Sequence, residues 1–243
     1  MRWLLVFLLI LCLWQLLVTL TGAPPYILPG PWRVAKALVF HAELIIGHAW
    51  ITALEVVIGL LLGTLLGCMT ALWLRISSAA RAVLLPFMVL SQAVPVFALA
   101  PLLTLWFGYG LWSKIAMTTL IIYFPVASTF YDGLRNTSSG LLDLAHTMRA
   151  SRARRLFLIE VPAAVPSLAS GLRLAAIYAP IGAVIGEWVG ASQGLGYLML
   201  LANGRVKIDL MFASLLVLAC LAMGLHFSMS AVANRLQHWA GSR

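Results

Sequence analysis

Six apolar runs, each long enough to cross a bilayer, alternate with short polar stretches along the 243 residues. They cover about 3–20, 49–74, 82–107, 112–130, 167–189 and 210–232. A hydrocarbon core roughly 30 Å thick takes about 20 apolar residues in helical form. The pattern therefore predicts an all-α, polytopic membrane protein with six spans and a single transmembrane domain over 1–243. The first run follows Arg2 and is broken only by polar Gln15 and Thr19, ending at Ala23-Pro24-Pro25. It exceeds the roughly 7–15 apolar residues of a signal peptide, so a retained helix is favoured over a cleaved one. Residues 33–47 read as an amphipathic segment at the interface. In the second run Gly59, Gly63 and Gly67 recur at every fourth position, a stripe that lets a neighbouring backbone come close. The third holds Pro86, Pro95 and Pro101. Three prolines argue against a straight helix, and the carbonyls they free must be buried in protein or line a cavity. The fourth includes Pro125, and the stretch from Gly190 to Asp209 reads as polar and glycine-rich.

Composition agrees. The chain is 63% apolar and 9% charged, with mean hydropathy +1.01; soluble domains are about 25% charged. A net charge of +9 would suggest nucleic acid in a soluble chain. Here membrane topology accounts for it, and no nucleic-acid partner is expected. Six spans put both termini on one side. That side collects eleven Lys and Arg: Arg2, Arg75, Arg81, Arg135, Arg149, Arg152, Arg154, Arg155, Arg173, Arg235 and Arg243. The other side has five: Arg33, Lys36, Lys114, Arg205 and Lys207. Cytoplasmic loops are enriched in Lys and Arg, so both termini and the basic loop at about 131–166 are expected in the cytoplasm. Cys12, Cys68 and Cys220 lie inside apolar runs without pair spacing and read as reduced and buried. No phosphate-binding GxxxxGK[ST] loop and no metal-ligand cluster occurs, so neither cofactor nor metal is expected.

The basic loop has a specific spacing. Permease subunits of bacterial ATP-binding-cassette importers carry Glu-Ala-Ala, three residues, Gly, nine residues, Ile-x-Leu-Pro in a cytoplasmic loop. Aligned on Pro162, Asp143 stands at the Glu, Leu144 and Ala145 at the two Ala, and Arg149 at the Gly. Ile159 then stands at the Ile and Val161 at the Leu, without a gap. The loop falls between spans four and five. Ile27-Leu-Pro-Gly-Pro31, Pro101-Leu-Leu-Thr-Leu-Trp-Phe-Gly108, Asp132-Gly-Leu-Arg135 and Gly186-Glu-Trp-Val-Gly-Ala-Ser-Gln-Gly-Leu-Gly-Tyr197 resemble permeases of the nitrate/sulfonate/taurine type. Ser91-Gln-Ala-Val-Pro-Val-Phe-Ala-Leu-Ala-Pro101 and Ala179-Pro-Ile-Gly-Ala-Val-Ile-Gly-Glu187 look most like permeases of thiamine-precursor (hydroxymethylpyrimidine) importers. The resemblance implies the type I importer permease fold and two copies forming a pathway through the membrane. It also implies a separate ATPase on the cytoplasmic loop and a substrate-binding protein outside. The loop residues expected to carry coupling are Asp143, Leu144, Ala145, Met148, Arg149, Ala150, Ser151, Ile159, Val161 and Pro162. Leu142, Ala145 and Met148 fall on roughly one helical face and Arg149, Arg152 and Arg155 near another, a pattern suited to seating in a partner's groove. The arginines also suit anionic lipid headgroups. A residue other than glycine at Arg149 costs about 1–2 kcal/mol if the turn there is left-handed.

Ionisable and polar groups within spans are costly and mark pathway candidates. Ser91, Gln92 and Pro95 in the third span, Tyr178 in the fifth, and Glu187 near the fifth span's end are the candidates. Pro180 can face the same cavity as Tyr178. Each has a structural alternative: a helix–helix hydrogen bond for Ser91 and Gln92, a fastening of the glycine-rich segment for Glu187. Glu55 reads first as an interfacial carboxylate or the partner of an arginine on another helix. A membrane-embedded enzyme would need a nucleophile–base pair or metal ligands in the spans, which are missing from the sequence. A secondary transporter would show more helices and an inverted repeat.

Overall fold

All regular structure is helical among residues 2–241, which the computed structural model describes. Arg243 and the side chain of Arg2, both counted in the charge split, lie outside what is described. Helix α1 (Arg2–Thr21) ends at Gly22, whose φ is +59°, followed by the proline pair. Helix α2 (Pro31–Phe40) starts on a proline at its first position, where the missing N–H costs nothing. His41 separates it from α3 (Ala42–Ile76), a helix of 35 residues. The segment expected at the interface is thus α2 plus the first turn of α3, and the second span begins earlier than the hydropathy suggests.

The third span is broken. Helix α4 (Ser78–Ser91) is capped by Ser77, whose hydroxyl accepts from the Ala80 N–H at 3.1 Å. After a break at 92–95 and a 3-10 turn (Val96–Leu99), α5 (Ala100–Phe107) leaves at 95° to α4. Pro95 precedes the 3-10 turn and Pro101 opens α5, so two of the three prolines set the break. Helix α6 is Leu111–Arg135. The basic loop is mostly helical: α7 (Ser139–Thr147), then α8 (Arg152–Arg155), a π turn (Leu156–Glu160) and α9 (Val161–Gly190) without interruption. Pro162 lies in the first turn of α9 and Pro166 inside it, rather than in a linker before the span. Helix α10 (Leu195–Gly204) occupies the stretch read as polar, and α11 (Ile208–Gly241) closes the chain. Leu195, Leu198 and Ala202 of α10 are buried against Val34, Ala37, Ile45 and Leu210.

Among the described residues four helices are long and apolar enough to span a membrane, and the bent pair makes a fifth; Leu8–Thr21 of α1 is a shorter apolar helix. Helix α6 is the centre. On one side it meets the glycine stripe of α3: added Cβ atoms at Gly63 and Gly67 would stand 3.0 Å from those of Ile122 and Val126. On the other it meets α9, where Gly171, Gly182 and Gly186 face Thr129, Thr118 and Lys114. Cys12 and Cys220 are exposed and Cys68 only partly covered. The apolar helices that contain Cys12 and Cys220 leave them at the protein surface, correcting the expectation of burial.

Candidate functional site

Functional side chains gather at three levels along α9. The middle level is a cavity of about 420 Å³ where the third span breaks. Gln92 and Val96 line it from the break, Phe124, Ser128 and Thr129 from α6, and Leu174 and Tyr178 from α9. The sequence candidates Gln92 and Tyr178 therefore meet. Ser91 does not line the cavity; its hydroxyl donates to the Met88 carbonyl at 2.7 Å. Pro95 shapes the break, and Pro180 is buried in the helix packing. Thr129 donates to the Pro125 carbonyl at 2.7 Å, a carbonyl next to the cavity.

At the α7 end, the spacing of the loop has a geometric meaning. Arg149 has φ +52°. The Ala150 N–H donates to the Ala145 carbonyl and the Arg149 N–H to that of His146, each at 2.9 Å. Helix α7 thus ends in a Schellman turn, with arginine in the left-handed place where glycine is usual. The turn is left-handed despite the substitution. Ser151 then caps α8, accepting from the Arg154 N–H at 3.3 Å. Ala145 is buried, while Asp143, Leu144, Met148 and Arg149 are exposed. The face expected to unite Leu142, Ala145 and Met148 is divided: Ala145 turns toward the chain itself and Met148, 74% exposed, turns away. Ile159 and Val161 are half-buried on either side of Glu160, whose side chain is buried. Its carboxylate accepts from Arg75 Nε at 2.6 Å and Nη2 at 3.0 Å, and Arg155 Nε stands 2.9 Å away.

At the opposite end lies Glu187, 1% exposed. Its Oε1 accepts from the Thr52 hydroxyl at 2.6 Å. Its Oε2 accepts from the N–H groups of Gly196 and Tyr197. Thr52 in turn accepts from the Leu195 N–H at 2.8 Å, and His48 Nδ1 from the Gly194 N–H at 3.0 Å. The N-cap of α10 is Gly194, with φ +110° and no side chain to cap with. Helices α3 and α9 supply the cap instead, and the Glu187 charge meets the positive end of α10. A Cβ at Gly194 would collide with the Glu187 carboxylate. The spacing from Glu187 through Gly194 to Gly196 is therefore a self-capping device. Glu55 is also buried, against Glu187 and near Lys114, with its Oε2 lacking a hydrogen-bond partner. Among the described residues no arginine pairs with it. Lys114 is buried at 1% exposure and donates to the carbonyls of Tyr109, Gly110 and Gly190 at 2.6–3.0 Å. Glu187 is thus remote in register from the Gln92–Tyr178 cavity.

Three residues escaped the sequence reading. Lys114 counted only as a surface charge, although its place just inside an apolar run after Gly108-Tyr-Gly110 was the signal. Glu160 stood at an unspecified position of the motif. Arg75 looked like part of a polar turn.

Residues 63–240 match the family of binding-protein-dependent transport system inner membrane components. A probable ABC transporter permease protein of Haemophilus influenzae is 54% identical over 226 residues, covering 93% of this chain and 92% of that protein. A formylaminopyrimidine transport permease protein of Halalkalibacterium halodurans is 34% identical, covering 96% and 93%. An inward-facing structure of a methionine ABC transporter has the same fold, with TM-score 0.70 at 18% identity, over 81% of this chain and 97% of that one. The protein is a multi-pass inner-membrane translocation subunit of an ATP-driven importer. The chain belongs to the binding-protein-dependent permease family, whose members work with an ATPase and a substrate-binding protein.

Proposed function

We propose that two copies of this chain form a pathway for a small neutral heterocycle of the thiamine-precursor kind, such as hydroxymethylpyrimidine. The carrying observation is the cavity at the broken third span. Gln92, Ser128, Thr129 and Tyr178 offer neutral donors and acceptors there, Phe124 and Tyr178 offer aromatic faces, and no charged side chain lines it. A sulfonate or nitrate pathway would put an anion, and a taurine pathway a sulfonate group, where no cation answers it. The formylaminopyrimidine relative supports the same cargo class. In this reading the segment from Asp143 to Pro162 lies in the cytoplasm and docks the ATPase, with Leu144, Met148 and Arg149 presented outward. The arginines around it also face anionic lipid. Both termini are cytoplasmic, and α10 lies at the outer end, toward the binding protein.

The test is uptake in cells expressing the permease with its ATPase and binding protein. Labelled hydroxymethylpyrimidine should accumulate, unaffected by excess taurine or nitrate. Gln92→Leu should cut uptake severalfold at equal protein level, because each lost hydrogen bond is worth about 0.5–1.5 kcal/mol. Uptake of taurine with indifference to the pyrimidine would overturn the cargo. Reporters fused after Ser151 reading external would overturn the orientation.

A further inference from the structure

Both ion pairs among the described residues converge on one buried carboxylate, Glu160. It sits at the last position of the π turn that joins α8 to α9. Within that turn Leu156 and Glu160 are buried while Phe157 and Leu158 face outward. The wider turn, of a kind found often at functional sites, points Glu160 at the end of α3. There Arg75 meets it with two parallel hydrogen bonds, Nε at 2.6 Å and Nη2 at 3.0 Å. Paired bonds of this sort fix direction as well as distance. Arg155 stands within ion-pair range but its Nε lacks hydrogen-bond geometry, so Arg75 is the firm partner.

The connectivity gives this pair its meaning. The segment of α7 and α8 runs into α9 through continuous backbone, so any displacement of it reaches α9 directly. Helix α3 has no such covalent link to it; the Arg75–Glu160 ion pair joins the two instead. The far ends of the same two helices are tied again, by the Thr52 hydroxyl of α3 on the Glu187 carboxylate of α9.

We propose that Glu160 is a positioning residue for energy coupling: held by Arg75, it delivers movement of the α7–α8 segment to α3 together with α9. The two helices then tilt as one frame, and the cap on α10 moves with them. This rests on the reading that the ATPase docks on that segment. Without the pair, the loop-side end of α3 would follow α9 only through their shared packing on α6 and the tie at their far ends.

The experiment uses the full transporter in proteoliposomes, with the ATPase, the binding protein and labelled hydroxymethylpyrimidine as the probe. Three quantities are read: ATPase retained on the tagged permease, ATP hydrolysed, and solute moved per ATP. Glu160→Gln should retain the ATPase and its hydrolysis, and lower solute moved per ATP about tenfold. The charge exchange Arg75→Glu with Glu160→Arg should restore part of that ratio. An unchanged ratio in Glu160→Gln overturns the proposal. Should Glu160→Gln fail to fold, Arg75→Lys decides instead, because one ammonium replaces the two-pronged contact and keeps the charge. A full ratio there, with only the yield reduced, makes the pair structural and overturns the proposal. Deleting Leu142–Met148 separates the two readings: ATPase retained on that variant defeats the docking assignment, whatever Glu160 does. If wild type moves no pyrimidine, stimulation of hydrolysis by the binding protein replaces the transport ratio, and only the cargo is refuted.

Discussion

Helix α9 is bounded by two buried glutamates with opposite kinds of company. Glu160, just before it, is answered by guanidinium groups that remain partly in solvent, Arg75 and Arg155, with side chains 21% and 41% exposed. Glu187, near its end, is answered by a hydroxyl and backbone N–H groups that are themselves buried. A partner in contact with water can re-solvate when its glutamate is lost. A buried N–H cannot. The first arrangement can therefore loosen and re-form at modest cost, while the second holds α10 in place.

That contrast orders the expected effects. Glu187→Ala should be the most damaging: it orphans Gly196, Tyr197 and Thr52 together, about 1–3 kcal/mol each. Thermal melting of detergent-purified protein should show a large drop, with protease sites near Gln193 opening first. Glu160→Ala should cost less, on the order of 1–2 kcal/mol, because its partners regain water. If Glu160→Ala melts lower than Glu187→Ala, the contrast is wrong. Glu55→Gln should be milder again, below about 1 kcal/mol, since Oε2 of Glu55 has no hydrogen bond to lose. Smallest, and of opposite sign, is Arg149→Gly. Glycine adopts the left-handed turn freely, so the melting point should rise by an amount matching about 1 kcal/mol, while docking that uses the arginine weakens. A lower melting point would mean the Arg149 side chain holds the turn.

The legible parts of this molecule are those written in one stretch of sequence. Apolar runs located the five candidate spans among the described residues, Pro95 and Pro101 the break, and the Gly59–Gly63–Gly67 stripe a close helix contact, though not its partner, α6. Spacing from Asp143 to Pro162 located the loop that the structure folds into α7, α8 and the π turn. What stayed hidden depends on meetings across the chain. Arg75 and Glu160 are 85 residues apart, and Thr52 and Glu187 are 135 apart. Helix α10 is hidden in a glycine-rich stretch that reads as a loop; two of those glycines, Gly194 and Gly196, make room for the Glu187 carboxylate. Lys114 enters the sequence only as a charge on one side of the membrane; lysine is almost never fully buried unpaired, and three backbone carbonyls pair it in the fold.

The 95° break in the third span also bears on how the chain enters the membrane. Helix α4 has 14 residues; at about 1.5 Å per residue it reaches roughly 21 Å, short of a hydrocarbon core of about 30 Å. The 3-10 turn and α5 that follow are shorter still. Neither half is a complete insertion unit, and the open backbone between them has no place in lipid alone. Assembly of this region must wait for α6 to leave the insertion machinery and cover the break. With Ala93→Cys as the reporter, a chain truncated after Gly108 should therefore leave its third span accessible to aqueous thiol reagents, and one extended past Arg135 should not.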